Sequence, residues 1–219
     1  MDNQMTLPNI QIKGINKGKP KLKSNGCVLP IYKTKKILSD LDYYNKFIKN
    51  IEDLIRGSKE YKAYKKYLME TVGLNHCMVF PNINQELDKK ITIEMHHGPI
   101  LTLYDYCDIV IRWCFKHDIK VVSTTIFKIV LEEHWNNNIQ VVMLCDLAHK
   151  LFHNGQVYIN PHQAWGHLDI FMEKYNDGIT KKMEKVIDKN LEIGRNTHSF
   201  DKNGILTFDG ITRYDNKEE

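Results

Sequence analysis

Apolar residues recur at three- and four-residue spacing through Leu41, Tyr44, Phe47, Ile48, Ile51, Leu54 and Ile55. This is the stripe of an amphipathic helix that starts after Ser39-Asp40 and stops before Gly57. Ser58 opens a second helix with Tyr61, Tyr64, Tyr67 and Leu68 on one side and Lys62, Lys65 and Lys66 elsewhere, so residues 38–73 read as a helical hairpin. A tyrosine stripe at helical spacing is more often core packing than a stacking platform for bases. After Gly73 two short runs, Cys77 to Phe80 and Ile91 to Met95, flank a polar loop, and the second alternates apolar and polar as a half-buried strand does. It delivers His96 and His97 at its end. Helical spacing returns from Thr102 to Phe115, and again from Ser123-Thr124 to the run Asn136-Asn137-Asn138, with a turn at Lys116-His117-Asp118. The apolar run Ile139 to Cys145 predicts a strand that leads at once into a helix carrying His149 and His153 and stopped by Asn154-Gly155. Val157 to Ile159 predicts a third strand, Pro161 opens another helix, and 179–193 forms a last amphipathic one before a polar tail.

The 219 residues suffice for one core with helical additions, and a 42% hydrophobic share excludes wholesale disorder. The apolar runs fall far short of the ~20 residues of a membrane span. The start Met1-Asp2-Asn3-Gln4 lacks a basic segment followed by an apolar one, so the expected location is the cytoplasm of the cell that makes the protein. Five cysteines, at 27, 77, 107, 114 and 145, include no Cys-x-x-Cys pair and read as reduced, mostly core-filling thiols. The formal charge of +4 is uneven: residues 1–36 hold lysines 13, 17, 19, 21, 23, 33, 35 and 36 against Asp2 alone. Residues 1–37 therefore read as a basic extended arm. It is a solvated tail or a nonspecific phosphate binder, with Lys17, Lys19, Lys21 and Lys23 the candidates for nucleic-acid backbone contact.

Four histidines stand out by their surroundings. His96-His97 lie at a strand end before Gly98-Pro99, while His149 and His153, four apart on a helix, project from one face ~5 to 6 Å apart at Cβ. Two such imidazoles can share a divalent ion, and a third ligand from the strand end leaves room for water and a phosphate oxygen. Glu94, two residues before His96, shares its strand face and reads either as an acceptor that orients an imidazole or as a surface acid on an edge strand.

The segments Ile93-Glu94-Met95-His96-His97-Gly98-Pro99-Ile100 and Leu144-Cys145-Asp146-Leu147-Ala148-His149-Lys150-Leu151-Phe152-His153-Asn154-Gly155 resemble the two halves of the HNH (ββα-metal) endonuclease signature. The resemblance implies an α+β protein with a small ββα-metal core at 74–159, interrupted by a helical insertion at 101–138 and followed by C-terminal helices and a tail at 160–219. It implies one divalent ion (Mg, Mn, Ni or Zn) held by His96, His149 and His153, with His97 as general base. The family's orienting asparagine falls in register with Gln140, with Asn138 just upstream. The implied activity is hydrolysis of DNA phosphodiester bonds. Small stand-alone HNH proteins are frequent in bacteriophages, so the implied setting is a phage, with other phage or host proteins as further partners and no membrane. Two other readings stand beside it. One is a catalytically degenerate HNH fold that serves as a structural or partner-binding component, and the other is a structural zinc protein in which Cys145 or Cys77 joins the histidines.

Overall fold

The structure of the protein, a computed structural model, describes residues 22–24, 27–29, 32–80, 82–84, 91–195 and 200–201. The architecture is α+β, mainly helical, with antiparallel strand pairs.

Strands β1 (Leu22–Ser24) and β2 (Cys27–Leu29) form a short hairpin inside the stretch expected to be an extended arm. The signal was in the sequence: Asn25-Gly26 between two short runs is a strong hairpin dipeptide. Helix α1 (Thr34–Ser39) precedes α2 (Leu41–Gly57), whose N-cap is Asp40, its carboxylate accepting from the Tyr43 N–H. Ser58 caps α3 (Lys59–Glu70) in the same way through the Tyr61 N–H. The stripe predicted by spacing is buried from Phe47 onward, through Ile48, Ile51, Leu54 and Ile55, whereas Leu41 in the first turn is exposed and Tyr44 half-buried.

Strand β3 (Ile93–His97) pairs antiparallel with β4 (Val141–Cys145), Ile93 opposite Cys145 and His97 opposite Val141. Between them run α4 (Leu103–Lys116), opened by a Thr102/Asp105 capping box, and α5 (Ser123–Trp135). Both pack on α2, and their Tyr106, Ile109, Val110, Ile126 and Val130 lie in the same core as the α2 stripe. Cys77 to Phe80, expected as a strand, is a bent segment instead. Its Cys77 N–H turns back to the Ile83 carbonyl, while the Met78 N–H reaches β4 at the Met143 carbonyl and the Met143 N–H donates to the Met78 sulfur. Trp165 bridges Val141 from the 160s, so β4 has neighbours on both edges and all five of its residues are buried.

β4 passes without a linker into α6 (Asp146–His153). Gln156 N–H donates to the Leu151 carbonyl and Gly155 N–H to that of Phe152, with Gly155 at φ +65. This left-handed closure ends α6 directly after His153. β5 (Val157–Tyr158) pairs with β6 (Phe200–Asp201), a strand in what the sequence suggested was tail. A 3-10 turn at Pro161–Gln163 stands where a helix was expected, followed by α7 (Leu168–Lys174) and α8 (Lys181–Arg195). Among the described residues no helix is long and apolar enough to cross a membrane.

Candidate metal centre

The β3–β4–α6 unit brings His96, His149 and His153 together. A strand's successive side chains point to opposite faces, and in β3 Ile93, Met95 and His97 are buried while Glu94 is exposed and His96 half-buried. Glu94 and His96 therefore share the face on which α6 lies, and α6 presents His149 and His153 from one side, one turn apart.

His96 Nε2 lies 3.1 Å from His153 Nε2, which lies 3.0 Å from His149 Nε2. One nitrogen of each ring falls within 4.8 Å of the others. Two Nε2 separations near 3 Å, with the three ligand nitrogens all within 4.8 Å of one another, fit the edges of a coordination sphere with ~2.0–2.1 Å metal–nitrogen bonds. The Phe152 ring packs against His96 at 5.3 Å between centroids, backing the centre with apolar surface. Burial, then the neighbouring His149 and His153, push His96 down to about 4, so at neutral pH its ring is uncharged and offers a lone pair.

Glu94 Oε2 lies 3.4 Å from His149 Nδ1. A proton held on Nδ1 by the carboxylate leaves the His149 Nε2 lone pair facing the other rings. Each neutral imidazole carries one proton, and His153 Nε2 contacts both neighbours. With the rings unprotonated at Nε2, three lone pairs converge on one point, a donor set that can hold a cation.

His97 is not part of this cluster. It lies on the core face of β3, 3% exposed, and its Nε2 is 2.9 Å from His134 Nε2. His134 Nδ1 donates to the Val130 carbonyl at 2.7 Å, so its Nε2 carries the lone pair and accepts the proton of His97. Tyr61 stacks on His97, and Tyr61 and Tyr64 meet His134 edge-on. Burial drives His97 well below the ordinary imidazole value and His134 to about 4. The general-base role that the resemblance gives His97 does not match this placement, because a base must reach the reacting water.

The expected amides are likewise inside. Gln140 donates its side-chain N–H to the Pro161 carbonyl at 2.7 Å, and Asn138 donates to Glu133 at 2.6 Å. Both fasten the loop before β4 and stand in no contact with the triad. Lys17, Lys19 and Lys21 lie outside the described residues, and of Lys23 only the backbone, in β1, is described. Cys77 and Cys145 do not join the histidine cluster. Sequence reasoning missed His134, whose partner is 37 positions away and which carries no local signal.

Compared with known families, residues 14–207 match the family model described as Bacteriophage G278-like virion protein. No curated protein and no solved structure shows a significant match.

Proposed function

The chain belongs to the Bacteriophage G278-like virion protein family, and from that premise we propose that it is a particle component carrying a one-ion, HNH-type centre directed at DNA phosphodiester bonds. The observation that carries this reading is the convergence of three imidazole Nε2 atoms on a ββα unit. Three imidazoles without a carboxylate in the set favour zinc or nickel over magnesium, which prefers oxygen donors. An ion held there supplies Lewis acidity towards a phosphate oxygen and towards water.

The residues of this chain do the rest. His96, His149 and His153 hold the ion as neutral ligands and leave its charge to the substrate, Glu94 fixes the His149 tautomer, and the lysines of the arm meet the DNA backbone. His97 holds the far face of β3 in the core. Without a positioned base the cutting is expected to be slower by the ~10²–10⁴-fold such a group contributes.

The placement of His97 favours a second reading, in which the unit binds its ion and pins the fold without cutting. Plasmid nicking with Mg²⁺, Mn²⁺, Ni²⁺ or Zn²⁺, run beside calorimetric metal titration on wild type and His153→Ala, separates them. Nicking and binding that both disappear in His153→Ala support the nuclease. Binding without nicking supports the pinning role, and no binding by wild type overturns both.

A further inference from the structure

Leu38, near the end of α1, and Leu41, the first residue of α2, are the two most exposed large apolar side chains among the described residues, at 66% and 73%. Asp40 ends one helix and caps the next, so the chain turns there with no linker, and Ile37 is buried while Leu38 and Leu41 stay outside. Both leucines line a cavity of about 370 Å³, with Ile37, Tyr44 and, from the last turns of α4, Arg112 and Phe115. That volume is at the lower end of the ~300–1,000 Å³ typical of binding clefts. Exposed apolar groups gathered in one place, rimmed by polar ones, mark an interaction site.

The polar side of the groove decides what fits it. Arg112 Nε donates to both oxygens of Asp108, at 3.0 and 2.9 Å, and Asp108, 6% exposed, also accepts the Tyr44 hydroxyl. The guanidinium is thus held in place by a buried carboxylate. Its two terminal amino groups have no hydrogen bond among the described residues, and they remain as paired donors for a further carboxylate. The groove's other acid, Asp40, is already engaged by the Tyr43 N–H at 3.0 Å and by Lys36 at 3.6 Å. On the flanks, Lys33, Lys35 and Lys116 are exposed and have no ion pair among the described residues, and with Lys36 and Arg112 they outnumber Asp40, Asp42 and Asp108. The surroundings therefore attract negative charge.

We propose that this groove docks a segment of another protein in which an aliphatic side chain stands next to an Asp or Glu. The aliphatic group enters among Leu38, Leu41 and Phe115, and the carboxylate meets the free amino groups of Arg112. A nucleic acid would supply the negative charge but no aliphatic group for the hollow. A bilayer is entered by apolar groups that protrude, whereas these wall a concavity. The proposal does not depend on the histidine triad or on any cutting.

The test is a selection from a display library of random dodecapeptides on the full chain, followed by calorimetric titration of the enriched peptides. These are expected to carry Leu, Ile or Val beside Asp or Glu. Replacing their acids by the matching amides is expected to weaken binding roughly tenfold, and Leu38→Ser with Leu41→Ser to weaken it by ~10-fold or more. Both leucines are exposed, so the double variant is expected to keep the wild-type urea midpoint. Enrichment of nothing, or of peptides without acids, would overturn the proposal, as would binding that survives the double variant. Sedimentation of wild type alone and with phosphatidylglycerol vesicles completes the test. Self-association or vesicle binding that the double variant abolishes, with no peptide enriched, would give the groove to a second copy or to lipid and overturn the proposal as well.

Discussion

The buried His97–His134 pair makes acid lability calculable. His134 is fully buried and held at about 4 rather than 6.5, chiefly by burial. Its folded value is depressed, so above pH 6.5 both folded and unfolded chains carry it neutral. Between 6.5 and 4 only the unfolded chain takes up the proton, and stability falls as pH falls across that window. At ~1.4 kcal/mol per pH unit the loss from this ring is about 3 kcal/mol, a large share of a typical ~5–15 kcal/mol stability. His97, lowered in the same direction by the same burial, adds to it. The perturbation is a double replacement, His97→Leu with His134→Leu, because removing one partner leaves the other's buried polar atom unpaired at ~1–3 kcal/mol. Urea unfolding in a chelating buffer from pH 7.5 to 4 is the assay. Wild type is expected to lose about 3 kcal/mol or more over the window beyond whatever the double variant loses. Parallel pH profiles would refute the reasoning, as would a His134 ring proton that titrates near 6.5 by NMR.

Zinc at about a hundredfold excess over Kd is expected to raise unfolding stability by ~2.7 kcal/mol in wild type and not in His153→Ala, measured by the shift in urea midpoint. Glu94→Gln is expected to weaken zinc or nickel affinity ~10- to 100-fold by calorimetry, with an unchanged Kd speaking against the carboxylate's hold on His149. Gly166 stands at φ +111, and a Cβ there would meet the Ile139 carbonyl oxygen at 2.4 Å. Gly166→Ala is therefore expected to cost at least ~1–3 kcal/mol, read from the same midpoint; a neutral result would show that the Trp165 bridge to β4 yields easily.

Much of the helical framework is legible in the chain because caps and stripes are local. Asp40 and Ser58 sit where the sequence places helix starts, and of the predicted α2 stripe the structure buries Phe47, Ile48, Ile51, Leu54 and Ile55 while Leu41, in the first turn, stays exposed. What escaped depends on distant partners. Cys77 to Phe80 is apolar enough for a strand, but one ladder bond to Met143 and the turn back to Ile83 leave it bent. Phe200–Asp201 becomes a strand only because Val157–Tyr158 lies beside it, and two residues carry no period of their own.

The centre teaches a narrower lesson about β3. The spacing of His149 and His153 on α6 and the offset of Glu94 from His96 are one-element geometry, and the structure brings those four side chains to one place. Adjacent histidines on a strand cannot both face that place while the strand keeps its pleat. β3 keeps it through His97, still opposite Val141, and so divides the pair: His96 goes to the histidine triad and His97 to the core. The alternation of Ile93, Met95 and His97 carried this information. The identity of the core partner did not follow from it, because His134 arrives on α5, which lies between the two strands in the chain. A helix that lies between β3 and β4 in the chain thus supplies the acceptor that holds His97 in the core.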